Sequence, residues 1–257
     1  MIKTSIYKFL ISFFLFFCSH SVYAQTFASL SPVPTEIIYA LGAQDKLLGV
    51  SSACDYPQEV QNKPIIGDTY FVNMESIIKL KPDYLLSMQS AKPMLGELSL
   101  TKTKPIYFEF QSIEDIYSAI FKIAELTNKN KQAELLVRNI KSNVSKFKTK
   151  KPKKILYLVQ IEPLITIGKQ SFVTDIIQKS GHESITADIN HYYPSISLEY
   201  AIKSHPDVVV ICYGKETGQM RELFPKAKFV YLNKKQQDVI NRPGPRVWEA
   251  VKFFSEI

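Results

Sequence analysis

The chain is poor in the residues that usually carry chemistry. Its 257 residues include 3 cysteines, 4 histidines, 9 glycines and a single tryptophan. No Gly-x-Gly-x-x-Gly occurs, no glycine-rich phosphate loop ends in Lys-Ser or Lys-Thr, and there is no Gly-x-Ser-x-Gly elbow. The backbone cradles for dinucleotides and nucleotide phosphates, and the exposed serine of the hydrolases, are therefore missing. Beyond residue 24 only Cys54 and Cys212 remain. They lie in different halves of the chain, which argues against a disulfide, and neither has the neighbouring His or Cys of a zinc site. Pairing Cys54 with His191 as nucleophile and base lacks a third, orienting group. His182 follows a glycine in a turn and His205 precedes Pro206-Asp207, so both are expected at the surface. His191, in the aromatic loop His191-Tyr192-Tyr193-Pro194, is the one histidine placed to meet a ligand or a ligand's metal.

Other absences concern partners. The formal charge is +8, and the lysines, concentrated between Lys146 and Lys154, form no arginine stripe with interleaved aromatics. A nucleic-acid groove is not expected, and that cluster reads as a solvated linker. No segment after the N-terminus has the roughly 18 apolar residues of a membrane span. The N-terminus has the features of a secretory signal. Lys3 and Lys8 precede an apolar run from Phe9 to Phe17, and Val22-Tyr23-Ala24 offers a small-residue cleavage site before Gln25. Residues 1–24 are thus expected to be a signal peptide and the mature protein to be exported. Without Lys3 and Lys8 the charge falls to +6.

What is present is alternation of strands and helices. Short apolar runs at Phe27–Leu30, Leu47–Val50, Tyr84–Ser87 and Ile106–Phe108 predict strands. Pro32-Val33-Pro34 reads as a turn, with Thr35 capping a helix that ends at Gly42. Ser112, with Asp115 three residues on, caps an amphipathic helix through Ile113, Ile116, Tyr117, Ile120 and Ala124. After Asn128–Asn130 a second apolar stripe runs from Ala133 through Val137 and Ile140 to Phe147. Such a helix spans about 30 Å, enough to brace two lobes. Strands at Ile155–Val159, Val208–Cys212 and Phe229–Leu232, with helices at Phe172–Ser180, Ser197–Ser204 and Val247–Ile257, complete the second half. The pattern predicts an α/β protein with parallel sheets. Its expected parts are an N-terminal α/β lobe at 25–127, an interlobe helix and linker at 128–151, and a C-terminal α/β lobe at 152–257.

Two segments match across the halves. Lys81-Pro82-Asp83-Tyr84-Leu85-Leu86 and His205-Pro206-Asp207-Val208-Val209-Val210 each follow a short helix bearing one glutamate, Glu75 or Glu199. Aromatic side chains gather at strand-to-helix edges, in Thr69-Tyr70-Phe71-Val72 and Tyr192-Tyr193. Ligands of open α/β sheets sit outside the carboxyl ends of the strands, and a flat macrocycle stacks on such rings.

Four segments in this order carry a resemblance: Ser29–Ala43, Gly49–Pro57, Asn73-Met74-Glu75 through Lys81-Pro82-Asp83, and Asn241-Arg242-Pro243-Gly244-Pro245-Arg246-Val247. The chain resembles, from Phe27 to Ile257, the periplasmic binding proteins whose two Rossmann-like lobes are joined by a rigid helix, and among them the cobalamin binders of ABC importers. The resemblance implies a non-enzymatic, monomeric carrier without a cofactor of its own. Its ligand would be a corrinoid, held between the lobes and delivered to a membrane permease–ATPase complex. It implies docking roles for Glu75 and Glu199, which would pair with permease arginines. Ligand contacts map to Ala53, Thr69, Tyr193 and the run Asp238-Val239-Ile240-Asn241-Arg242, with Tyr70, Phe71 and Tyr192 adjacent. The sequence departs from the family at Ala53 and Thr69, where larger aromatic residues are expected. Trp248 lies in the last helix and is expected to pack inside. Heme or a ferric siderophore is the alternative ligand on the same fold, with His191 or Tyr193 as the iron ligand for heme.

Overall fold

The computed structural model describes residues 25–68, 71–214 and 218–257. The predicted signal segment and the predicted contacts Thr69 and Tyr70 lie outside the described residues. Among the described residues no helix is long and apolar enough to cross a membrane.

Two sheets organise the molecule. The first is fully parallel, in the order β2 (Leu47–Val50), β1 (Phe27–Ser29), β3 (Tyr84–Met88), β4 (Lys104–Phe108). The second is built on β5 (Lys154–Gln160), β8 (Val208–Ile211) and β9 (Lys228–Tyr231), which run parallel. The other edge of β5 carries two short strands: β6 (Ile165–Thr166), antiparallel to it, and β7 (Glu183–Ser184), parallel to it. Parallel pairs need crossovers, and the helices supply them. In chain order these are α1 (Pro32–Ala40), α2 (Met74–Leu80), α3 (Ile113–Thr127), α4 (Asn130–Lys146), α5 (Phe172–Lys179), α6 (Leu198–Lys203), α7 (Gly218–Leu223), α8 (Lys234–Asn241) and α9 (Val247–Ser255).

Side-chain alternation along the central strands explains how the layers join. Ile155 and Tyr157 of β5 and Val208 and Val210 of β8 enter the largest apolar cluster, while Leu156, Leu158, Val209 and Ile211 enter a separate cluster on the opposite face. The largest cluster also contains Phe27 of β1, Ile37 of α1, Ile120 of α3, Val137 of α4, Ile176 of α5 and Phe254 of α9. The two sheets therefore share one buried helical layer. Helix α3 packs on α1 and on α5, and α4 lies beside α3 and against α9. Helix α3 thus touches elements of both halves. Close-packed interiors resist shear, so this common core restrains movement of one lobe against the other.

The capping chemistry read from the sequence is present at α3. The Asp115 carboxylate accepts from the Ser112 N–H at 2.8 Å and from its hydroxyl at 2.9 Å. Asn128 ends the helix with φ 59°, as the break at Asn128–Asn130 predicts. The start of α1 differs from expectation. Pro32 and Pro34 lie inside its first turn, not in a preceding turn, because proline's fixed φ suits a helix start where no N–H donor is needed. Thr35 is therefore not the cap; its hydroxyl donates to the Ser31 carbonyl at 2.9 Å. The stretch between β3 and β4 is a 3-10 segment over Gln89–Leu100 that the apolar pattern does not announce.

The pseudo-repeat extends to hydrogen bonding. Asn73 and Ser197 cap α2 and α6, accepting from the N–H of Ser76 at 3.0 Å and Tyr200 at 3.1 Å. Lys81 and His205 take positive φ, 49° and 46°, before their prolines. Asp83 then accepts from the Thr26 N–H at 2.8 Å, and Asp207 from the Lys154 N–H at 2.8 Å. Each aspartate thus fastens the entry of its lobe's central strand to the strand beside it.

Candidate functional site

The carboxyl ends of the strands of both sheets carry the residues that the sequence nominates. After β2, the Ser51 N–H donates to the Ser29 carbonyl at 2.8 Å and the Ser51 hydroxyl oxygen accepts from the Ala53 N–H at 3.2 Å. These bonds present Ala53, half-buried, and Asp55, exposed, at the sheet's edge. The following loop is pinned beside them, since the Ser52 N–H donates to the Gly67 carbonyl at 2.9 Å. Gly67 has φ +147°, and a Cβ there would stand 2.3 Å from the Phe71 carbonyl oxygen. Only glycine fits this tight return. It holds out Phe71, whose ring is 63% exposed.

In the C-terminal lobe the aromatic loop is stitched to the segment after β6. The N–H groups of Thr166, Gly168 and Lys169 donate to the carbonyls of Pro194, Tyr192 and Ile189 at 3.0, 3.0 and 2.8 Å. Tyr192 turns toward the other lobe. Its hydroxyl donates to the Glu109 carboxylate in a very short bond and accepts from Gln111 Nε2 at 2.8 Å. Tyr193 is 51% exposed, and its N–H donates to His191 Nδ1 at 3.4 Å. His191 is exposed. Among the described residues no three His, Cys, Asp or Glu side chains gather to hold a metal ion.

The run Asp238–Arg242 divides by face, which the sequence reading did not foresee. It forms the end of helix α8, so residues four apart share a side while the intervening ones turn away. Val239 and Ile240 are buried in the shared core. Asn241 is used internally as well. Its Oδ1 accepts from the Tyr157 hydroxyl at 3.0 Å and its Nδ2 donates to Cys212 Sγ at 3.2 Å. Asp238 and Arg242 pair with each other at 3.2 Å. Arg242 also forks onto Asp55 of the other lobe, through Nη1 on Oδ1 and Nη2 on Oδ2, the latter at 3.2 Å. The Arg242 guanidinium holds the Asp55 carboxyl below its usual range.

A second cross-lobe pair lies behind the first. Glu36 on α1 is 4% exposed, and Arg246 donates to both of its oxygens, at 3.0 Å from Nε and 2.9 Å from Nη2. Burial raises the Glu36 carboxyl, and the facing Arg246 and Arg242 oppose that rise. Tyr56 covers the other side of Arg246, with its ring centroid 3.8 Å from the guanidinium carbon. Sequence reading passed over Glu36, Asp55, Tyr56 and Tyr213. The first three stand in the Ser29–Ala43 and Gly49–Pro57 segments that carried the resemblance, and Tyr213 stands directly after a predicted strand.

The two cysteines are free and buried. Burial pushes the Cys54 thiol up to about 11, with the Thr35 hydroxyl 3.3 Å away, so it is a poor nucleophile near neutral pH. His182, expected at the surface, is buried instead. Its Nδ1 accepts from the Lys153 N–H at 3.0 Å and its Nε2 lies 2.8 Å from the Phe254 carbonyl. His205 is exposed as expected. Trp248 stacks on Phe147 at 6.2 Å between ring centres, in the helical layer.

The two glutamates occupy the same helical position, second in the first turn of α2 and of α6, and both are exposed. Glu199 bonds Lys203 at 2.7 Å. A cavity of 590 Å3 opens beside the Tyr192 bridge, lined by Glu109, Gln111, Asp115, Lys169 and Asp175 among others. Its polar lining suits water better than an apolar ring, and the nominated residues Ala53, Phe71, Tyr193 and Arg242 do not line it.

Two α/β lobes on a common helical layer, with exposed aromatic and charged side chains beyond their strand ends, have the architecture of a ligand-binding protein. The chain belongs to the periplasmic binding protein family, which it matches over residues 27–252. A vitamin B12-binding protein of Photorhabdus laumondii is 28% identical over 246 residues, covering 91% of this chain and 88% of the relative. A periplasmic solute-binding protein of Staphylococcus epidermidis, described as possible iron-binding, is similar in structure with TM-score 0.79 and 31% identity; the match covers 90% of this chain and 97% of that one. The periplasmic vitamin B12-binding protein of Vibrio cholerae superposes with TM-score 0.72 at 22% identity, covering 91% and 97%, a likeness of fold.

Proposed function

We propose that this protein is the periplasmic substrate-binding component of an ABC importer, taking cobalamin or a related corrinoid between its lobes and delivering it to the membrane permease. The observation that carries the reading is the 28% identity with a vitamin B12-binding protein across nine-tenths of the chain. It is supported by the cleft. Phe71 and Tyr193 offer apolar faces to a broad ring, and Asp238, Asp55 and Arg242 offer polar groups to the amides at its rim. The N-terminal lobe is residues 25–127, the interlobe segment 128–151 and the C-terminal lobe 152–257. Residues 1–24 direct export and are then removed. The carrier acts as a monomer and without bond chemistry. Glu75 and Glu199, one on each lobe, engage permease arginines.

The shared core and the two cross-lobe ion pairs support a nearly pre-formed cleft. Pre-formation lowers the ordering cost of binding. An iron chelate such as heme is the second reading, favoured by the likeness to the S. epidermidis protein. Equilibrium titration of the mature protein with cyanocobalamin, cobinamide and hemin, side by side, tests the assignment. Binding of a corrinoid, with hemin weaker, is expected. Hemin binding with a Soret band that disappears in His191→Ala or Tyr193→Ala, and no corrinoid binding, overturns it.

A further inference from the structure

The aromatic surface of the cleft is unevenly distributed. The N-terminal lobe has Ala53 where a large ring is expected, and Phe71 is its exposed aromatic among the described residues of the 67–72 loop. The C-terminal lobe carries an aromatic residue that neither composition nor resemblance nominates. Tyr213 lies two residues beyond β8, at the carboxyl end of an interior strand of its sheet, and is 52% exposed. The residue before it is held from several sides. The Cys212 N–H donates to the Leu158 carbonyl at 2.8 Å, the Cys212 carbonyl accepts from Gln237 Nε2 at 2.6 Å, and its sulfur accepts from Asn241. Tyr193 and Asp238 are among the groups near Tyr213. A large ring, half in solvent just beyond a strand end, stands where ligands of α/β sheets are met. Aromatic side chains lose little entropy when a flat guest stacks on them.

We propose that Tyr213 is a ligand-contacting, specificity-determining residue, which with Tyr193 forms an aromatic platform on the C-terminal lobe for one face of a planar macrocycle. The inference rests on the binding reading above and adds to it a residue that compensates for the small side chain at Ala53. It also explains why Asn241 is turned inward, since its amide holds Cys212 and thereby the base of the platform. The phenol group itself is not required; the ring face is.

The test is titration of the wild type, Tyr213→Ala, Tyr213→Phe and Phe121→Ala with cyanocobalamin, cobinamide and hemin. Phe121 is an exposed aromatic on α3 and serves as the control. Stacking of this kind predicts a loss of about five- to tenfold in affinity for Tyr213→Ala, with Tyr213→Phe and Phe121→Ala within about twofold of wild type by the same comparison. Circular dichroism and thermal melting of each variant establish that the fold is retained; because the ring is half exposed, Tyr213→Ala is expected to melt like wild type. Wild-type binding that is unchanged in Tyr213→Ala overturns the inference and leaves the binding reading standing. A wild type that binds none of the three ligands overturns the binding reading, and the platform with it. Equal losses in Tyr213→Phe and Tyr213→Ala overturn the platform in favour of a hydroxyl contact.

Discussion

Arg246 grips Glu36 across the two lobes, with two donors on two carboxylate oxygens at 3.0 and 2.9 Å. The pair joins helix α1 of the first half to the segment that leads into α9, 210 residues later. Removing one member of a buried pair strands the other's charge. Glu36→Ala is therefore expected to cost about 3 kcal/mol of stability, whereas Glu36→Leu with Arg246→Met recovers most of it. Urea unfolding of the single and double variants measures this. Equal losses in both would mean that the pair acts through packing alone.

Histidine 182 should make stability depend on pH. It is buried, with Nδ1 accepting a backbone N–H, so the neutral ring is the form that fits. Burial, with Lys153 assisting, lowers its pKa below the ordinary value of 6.5, although the Phe254 carbonyl opposes this. A depressed folded-state pKa means that the unfolded chain binds the extra proton first. The stabilisation is thus complete above 6.5 and is lost as pH falls through the folded-state value. The stability difference between wild type and His182→Gln, measured by denaturant at pH 7.5 and pH 5, is expected to shrink at the lower pH. A difference that stays constant would contradict this account.

Gly168 governs the aromatic loop. A Cβ at this position would stand 2.2 Å from the His191 carbonyl oxygen and 2.7 Å from that of Ile189. Both atoms are backbone, so Gly168→Ala must displace the loop that carries Tyr192 and Tyr193. A stability loss of about 1–3 kcal/mol is expected, together with weaker ligand binding than any single tyrosine substitution produces. Calorimetric titration and melting on the same samples separate the two effects, and unaltered binding would show that the loop takes no part.

Glu75 and Glu199 are exposed, Glu199 being paired with the equally exposed Lys203. Alanine at both positions should leave corrinoid affinity and melting temperature unchanged while reducing association with permease-containing proteoliposomes. Aspartate in their place should only partly restore association, because the shorter side chain misplaces a bidentate contact. Lost ligand affinity with association intact would reverse the assignment.

Legible in the sequence were the α/β class, every strand except the short β6 and β7, the Asn128 break, the Ser112–Asp115 cap and the match between Glu75 and Glu199. These rest on period, turn chemistry and capping, all of which act over a few residues. Which side chains come together was settled by long-range packing. It placed Val239 and Ile240 in the core and Asn241 on Cys212, because the run Asp238–Arg242 is the end of a helix whose faces point different ways. It buried His182 under Phe254 and brought Asp55 to Arg242 and Glu36 to Arg246 across nearly two hundred residues or more. Such contacts depend on how two sheets pack on one helical layer, a relation between distant segments that no local pattern encodes.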